Sequence, residues 1–293
     1  MRIIVTGSES FVAKELIAQC LAQGIEVFGF DFAKASDLPY EFAKGDINDP
    51  KIGDIFPENV DAIVHLAALS RDPDCAGKPY ECFMTNVMGT LNLMRAAQAK
   101  GVKQFIFASS EWVYEKFVGE EEKNEESLID IAGHTSEYAL SKLVSEANLR
   151  EQYKRGFIPT TIFRFAIIYG PRKTGWSAVE SVASAVKNND VVTVGSLKSG
   201  RRFVHVKDIA SGIVKALGRQ DFQIINLSGN EMVRMEDIIR ASEAIFNKKV
   251  TVMEKDAAAV SVRNPSNKKA KELLGWSPQI SLSEGLRTLM DFI

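Results

Sequence analysis

Long hydrophobic runs are missing from this chain. No apolar stretch approaches the ~18–20 residues that a membrane helix needs, so no bilayer span and no membrane partner are expected. From Met1-Arg2 the sequence passes directly into a short strand pattern with no small-residue cleavage site, and no secretory signal is expected. Cysteine is scarce. Cys20, Cys75 and Cys82 form an odd set at spacings that suit no metal, the pattern of reduced thiols in a cytoplasmic protein. Neither sign of charge dominates: 36 Lys and Arg stand against 38 Asp and Glu, a formal net charge of −2. A near-neutral chain lacks the electrostatic footprint of a nucleic-acid binder. Of the three histidines, His65 and His205 read as packed structural residues, and no His, Cys and acid spacing suggests a metal site.

What is present is an ordinary globular composition, 45% hydrophobic and 25% charged over 293 residues. That length suggests about two lobes. The first thirty residues read strand, turn, helix, strand. Arg2-Ile3-Ile4-Val5 is β-branched, Thr6 to Ser10 is a turn, and Phe11 to Gln23 repeats apolar residues at helical spacing until Gly24. Ile25 to Phe30 is the second strand, ending at Asp31. Such a βαβ unit implies parallel strands and a right-handed crossover. Further strands are expected at Ala62–Ala67, Gln104–Ala108, Thr160–Phe165 and Gln223–Leu227, with helices at Asn86–Ala99, Glu137–Tyr153 and Phe203–Leu217. Alternation of this kind predicts an α/β protein with a doubly wound parallel sheet. The acidic run Glu120 to Glu126 has no apolar partners and reads as a solvated loop.

Two clusters carry chemistry. The first is the turn Thr6-Gly7-Ser8-Glu9-Ser10-Phe11-Val12-Ala13. A helix N-terminus offers free N–H groups and partial positive charge to a pyrophosphate. The usual three small residues are here Gly7, Ser10 and Ala13. Ala13 suits close helix packing. Ser10 places a hydroxyl where bare backbone is usual, to bond the phosphate or to weaken dinucleotide binding. Asp31, at the end of the next strand, suits a ribose diol and repels a 2′-phosphate, which favours NAD over NADP, although Lys34 lies close in sequence.

The second is Tyr138-Ala139-Leu140-Ser141-Lys142, with Tyr and Lys at i and i+4 on one helix face. A neighbouring ammonium favours the phenolate, which a general base needs near neutral pH. Ser109 and Ser110 end the strand that precedes it, where a doubly wound sheet binds its ligands.

In these segments the chain resembles the extended short-chain dehydrogenase/reductase family, in its nucleotide-sugar epimerase/dehydratase branch. Gly45-Asp46-Ile47, Val64-His65-Leu66-Ala67-Ala68, Asn86-Val87-Met88-Gly89-Thr90 and Ser109-Ser110-Glu111-Trp112-Val113-Tyr114 follow in the family's order. So do Arg164-Phe165, Tyr169-Gly170-Pro171-Arg172, Arg201-Arg202-Phe203-Val204-His205-Val206-Lys207-Asp208 and Leu273 to Pro278.

The resemblance implies a Rossmann-type NAD domain at 1–170 plus about 203–229. It also implies a smaller C-terminal α/β substrate lobe at about 171–202 and 230–293. NAD would contact Gly7, Ser10, Phe11, Val12, Asp31, Asp46, Ile47, Leu66, Ala67, Ala68, Asn86, Ser109, Tyr138, Lys142 and Phe165. Ser110, Tyr138 and Lys142 would be catalytic, with Glu111 as an acidic departure beside them. Ser110, Glu111, Tyr138, Arg201 and Arg263 would meet a nucleotide-diphosphate sugar, the arginines holding its phosphates. Arg202 and Lys207 make the return segment more basic than the family's pattern. The implied activity is epimerisation through transient oxidation at sugar C4, with dehydration or 4-ketoreduction as alternatives, in a homodimer. A non-catalytic NAD sensor or scaffold is the rival class.

Overall fold

The computed structural model describes residues 1–33, 37–173 and 175–293, so Lys34 lies outside the described residues. The chain divides into two compact units. Unit 1 comprises Met1–Glu115, Leu128–Arg164 and Ala210–Ile225, and unit 2 comprises Lys116–Ser127, Phe165–Ile209 and Asn226–Ile293. These bounds differ from the expected ones, chiefly because the acidic run joins unit 2 and the return to unit 1 comes at residue 210.

Unit 1 is built on a seven-stranded sheet. Its strands are β1 (Arg2–Thr6), β2 (Glu26–Asp31), β3 (Glu41–Lys44), β4 (Ala62–His65), β5 (Gln104–Ser110), β6 (Thr160–Phe165) and β7 (Phe222–Leu227). They lie in the order β7-β6-β5-β4-β1-β2-β3, with β3, β2, β1, β4 and β5 paired in parallel. The principal helices are α1 (Phe11–Ala22), α2 (Gly89–Ala99), α3 (Glu137–Lys154) and α4 (Val206–Ala216). Strand order reverses at β1 and β4, which sets the loops after these two strands side by side. That crevice is where a doubly wound sheet takes a ligand. The core explains why the elements stay together: Ile4, Ile63, Leu93, Phe105 and Ile162 are all fully buried. Each fully buried large aliphatic side chain contributes roughly 1.5–3 kcal/mol relative to exposure.

Local differences from the sequence reading have physical causes. Strand β3 has no signal in the sequence, because its four residues are exposed or half-buried and show no apolar alternation. The expected helix from Asn86 begins instead with a wide π-type turn over Met84–Met88, and regular helix starts at Gly89. A Cβ on Gly89 would lie 2.7 Å from Ile47 Cδ1, so any side chain there would have to displace the end of Ile47. The segment from Phe203 holds a short strand, Val204–His205, before α4.

Unit 2 has its own core, including Val179, Val186, Ile238 and Leu289. Two amphipathic helices, Ala178–Asn188 and Met235–Phe246, supply much of it. The buried Glu180 carboxylate accepts from Gly170 N at 3.2 Å and from Arg172 Nε at 2.8 Å. It thereby fixes the Tyr169-Gly170-Pro171-Arg172 turn.

The acidic run is the expected loop, with Glu120, Glu121, Glu122, Asn124 and Glu126 exposed, but its charges also fasten it within unit 2. Glu122 pairs with Arg202 at 3.1 Å and with Lys268 at 3.0 Å, and Glu120 pairs with Arg234. Glu125 is buried and accepts from Asn226 N at 2.7 Å. Lys123 N donates to Asn264 O, and Ser266 N to Lys123 O. A search for apolar partners cannot find this strap, because its partners are ionic and far away in sequence.

Candidate active site

The turn expected to hold a dinucleotide starts at Gly7. Its φ is +68°, and a Cβ there would sit 2.7 Å from Ala67 N. Only glycine allows the β1 turn to meet the β4 turn so closely. Ala67 N in turn donates to Thr6 Oγ1 at 3.3 Å, and Leu66, Ala67 and Ala68 lie half-buried beyond β4.

Ser10 has an extended backbone (φ −72°, ψ 162°) and caps α1, its hydroxyl accepting from Ala13 N at 3.4 Å. Its side chain is spent on the helix, so this position neither needs glycine nor obstructs the turn. Phe11 and Val12 open the helix behind it, and Ala13 is fully buried against the sheet.

The buried Asp31 carboxylate accepts from Glu9 N and from Ala33 N, each at 2.9 Å. It ties the phosphate turn to the end of β2. Asp46 is exposed, and its carboxylate accepts from Asn48 N. Ile47 is buried, and its carbonyl accepts from Asn92 Nδ2.

Two residues expected to contact the cofactor also bond within the fold. Asn86 donates through Nδ2 to Leu69 O at 3.0 Å and to Ser141 Oγ at 2.9 Å, and accepts from Leu69 N at 2.9 Å. Its amide is used in bracing the loop after β4 against α3. Ser109 donates to Glu146, whose carboxylate also receives Arg164 Nε at 3.0 Å and NH2 at 2.7 Å. Both hydroxyl and carboxylate are therefore turned into a buried ionic knot. Phe165 ends β6, where the chain passes into unit 2.

The residues expected to be catalytic begin one residue further. Ser110 closes β5 and caps a single 3₁₀ turn over Glu111–Tyr114, its hydroxyl accepting from Trp112 N at 3.2 Å. Ser136 caps α3 in the same manner, which sets Tyr138 in the first turn of that helix. The phenol packs against Cys75, Cys82 and Trp112. Lys142 Nζ donates to Ala108 O at 2.8 Å and lies 4.8 Å from the centre of the Phe107 ring. Glu111 is buried beside Ser110.

The charges of this pair differ from the sequence expectation. Burial pushes the Tyr138 phenol up to about 12, while the Ser110 hydroxyl pulls the other way. Burial pushes the Lys142 ammonium down to about 8. The i, i+4 spacing aligns the two stems, but the ammonium is anchored to the β5 carbonyl and does not by itself acidify the phenol.

His65 pairs with Thr6 Oγ1 at 2.8 Å and Thr90 Oγ1 at 3.0 Å. His205 meets Thr288 Oγ1 at 3.2 Å and accepts from Lys207 N at 3.3 Å. Burial lowers both, His205 to about 4, and both hold structure together. Among the described residues no cluster of His, Cys, Asp or Glu could hold a metal ion. Nor is any described helix long and apolar enough to cross a membrane.

In unit 2, Gly200–Arg201 and Val262–Arg263 pair as parallel strands with Arg201 directly opposite Arg263. Like charges in register repel, and an anion bound between two guanidinium groups reverses that sign. Arg201 also donates to Ser261 O at 2.6 Å and Ser261 Oγ at 2.9 Å, which fixes its fork.

The family model described as the NAD dependent epimerase/dehydratase family matches residues 3–228. The chain belongs to this family. It is an NAD-dependent enzyme, and its phosphate turn, Asp31, Tyr138 and Lys142 are donors and acceptors that suit NAD. The chain is 28% identical to the uncharacterized UDP-glucose epimerase YtcB of Bacillus subtilis (strain 168), covering 98% of this chain and 96% of that one. It is 26% identical to UDP-glucuronic acid decarboxylase 1 of Arabidopsis thaliana, covering 100% and 70%. A UDP-glucuronic acid 4-epimerase variant from Bacillus cereus was solved with UDP-4-deoxy-4-fluoro-glucuronic acid and NAD. It superposes with a TM-score of 0.85 at 26% identity, covering 100% of this chain and 98% of that one.

Asp31 offers a direct check on the cofactor. Asp31→Ala is expected to narrow the ratio of NAD to NADP affinity, measured by calorimetric titration of each dinucleotide. A wild-type protein that already prefers NADP would overturn the role given to this carboxylate.

Proposed function

We propose that the protein is an epimerase of a nucleotide-diphosphate sugar, working at C4. The observation that carries this reading is Tyr138 in the first turn of α3, Lys142 one helical turn on and Ser110 at the end of β5, in the unit that holds the expected dinucleotide turn. The opposed pair Arg201 and Arg263 supports a diphosphate as the ligand of unit 2.

Tyr138 takes the proton of the sugar hydroxyl, and Ser110 hydrogen-bonds the same oxygen and passes the proton on. Bound NAD supplies the hydride acceptor and a positive charge on its nicotinamide ring. That charge matters because burial alone leaves the phenol high, near 12. Lys142, buried and held by Ala108 O, binds the nicotinamide ribose in this reading. Gly7, Phe11, Val12 and Asp31 hold the rest of the dinucleotide. A sensor or scaffold has no use for a buried tyrosine, serine and lysine in this order, and the enzyme is the better reading.

Glu111 favours a second reading. A buried carboxylate next to Ser110 can shuttle a proton at a neighbouring carbon, as dehydration of the keto-sugar requires. The resemblance further implies a homodimer in the cytoplasm, which belongs to the same proposal.

The test is proton NMR of the sugar after incubating the NAD-loaded protein with UDP-glucose, UDP-glucuronic acid and GDP-mannose. Appearance of a C4 epimer with no net change in bound NAD is expected. A 4-keto-6-deoxy product would replace epimerisation with dehydration. Persistent absence of conversion of all three sugars, with NAD bound, would overturn the epimerase reading.

A further inference from the structure

Four described residues other than glycine have positive φ. Asp37, Asn59 and Asn247 carry short polar side chains that tolerate left-handed backbone. The fourth is Glu115, with φ 51° and ψ −83°. That ψ lies outside the left-handed helical basin, in the strained γ-turn region. Such strain persists where the surroundings over-determine it, and it clusters at functional sites.

What holds Glu115 is a set of contacts across unit 1. Its N–H donates to Trp112 O at 3.0 Å. Its carboxylate accepts from Thr135 Oγ1 at 3.0 Å and lies 3.3 Å from His134 Nδ1. The His134 side chain is fully buried, and its Nε2 donates to Val113 O at 3.1 Å. Glu115 Oε2 and His134 Nδ1 are buried and make no hydrogen bond, so this arm of the set is a 3.3 Å contact alone.

These contacts join two particular stretches. Val113 and Glu115 follow Ser110 by three and five residues. His134 and Thr135 precede Tyr138 by four and three residues. Between them the chain departs, and residues 116–127 belong to the other unit. We infer that Glu115 and His134 are positioning residues, a clasp that fixes the Ser110 turn against the start of α3 and so sets how Ser110 and Tyr138 stand relative to each other. This deepens the epimerase reading and rests on Ser110 and Tyr138 forming its proton relay. Glycine would adopt the same backbone without hindrance from a Cβ. The strain is kept along with the one side chain that reaches both His134 and Thr135.

The test uses NAD-loaded protein labelled with carbon-13 at tyrosine Cζ, with the Tyr138 resonance identified by its loss in Tyr138→Phe. Glu115→Gly relieves the backbone and removes the clasp. Its Tyr138 resonance is expected to shift and its kcat to fall about tenfold, with KM unchanged and Tm equal or higher. Glu115→Gln keeps an acceptor for Thr135 and is expected to bring both readings back toward wild type. His134→Asn is expected to resemble Glu115→Gly in resonance and rate. An unmoved Tyr138 resonance in both Glu115→Gly and His134→Asn would overturn the inference, as would a loss of rate that only tracks a loss of Tm. The NMR readout needs no sugar, so failure of every sugar to react would sink the epimerase reading while leaving the clasp separately judged.

Discussion

Replacing Tyr138 with phenylalanine is expected to lower kcat by at least about 10²-fold while leaving the fold intact. The hydroxyl is the only group removed. Ser110, the hydroxyl that favours the phenolate, keeps its contact with Trp112 N. The ring keeps its packing against Cys75, Cys82 and Trp112. Little stability is therefore at stake, and the thermal midpoint should stay within a few degrees. The loss falls on chemistry, because the phenol is the group that takes the proton beside Ser110. Turnover of the reactive sugar, followed by NMR, together with NAD affinity by calorimetry separates the two effects. A wild-type rate in this variant would remove Tyr138 from the mechanism. Unchanged NAD affinity with a lost rate is the pattern that supports it.

Glu146→Ala is expected to cost about 3–5 kcal/mol of stability, a large loss for a single substitution. Glu146 and Arg164 are both buried, with side chains 4% and 3% exposed. Burial opposes the Arg164 charge, and the Glu146 carboxylate beside it more than restores it, raising its pKa. Removing the carboxylate leaves a guanidinium in the interior without its counter-charge, and leaves the Ser109 hydroxyl without its acceptor. Tyr114 shares the cost, since the Arg164 guanidinium lies 4.9 Å from its ring centre. Urea denaturation gives the measurement directly. A loss below about 1 kcal/mol, the range of exposed ion pairs, would show that water reaches the guanidinium and that the knot is not sealed. A Glu146→Gln variant, which keeps an acceptor but no charge, is expected to fall between wild type and alanine.

The chemistry of the site is legible in the sequence where it depends on local spacing. Gly7 reads as a tight turn because a strand precedes it and a helix follows. Tyr138 and Lys142 fall on one face because 3.6 residues per turn requires it. The uses of Ser109 and Asn86 are not legible. Both stand at positions where a ligand contact is reasonable, and both satisfy buried partners on α3, Glu146 and Ser141. The acidic strap escapes the sequence reading for a related reason. Its stabilising contacts are ion pairs with Arg202, Arg234 and Lys268, and a charge carries no periodic signature by which a distant partner can be recognised. The clasp of Glu115 and His134 is invisible altogether, because nothing in the sequence announces a positive φ at a glutamate.

By itself, the order of strands, helices and polar motifs determined the fold class, the dinucleotide turn and the candidate catalytic trio, since each follows from hydrophobic period and short-range geometry. Only the tertiary structure decided which of the neighbouring polar groups bond within the protein and how the trio is charged. Burial and long-range pairing set those properties: the same desolvation raises Tyr138, lowers Lys142 and obliges Ser109 and Asn86 to find partners inside the fold.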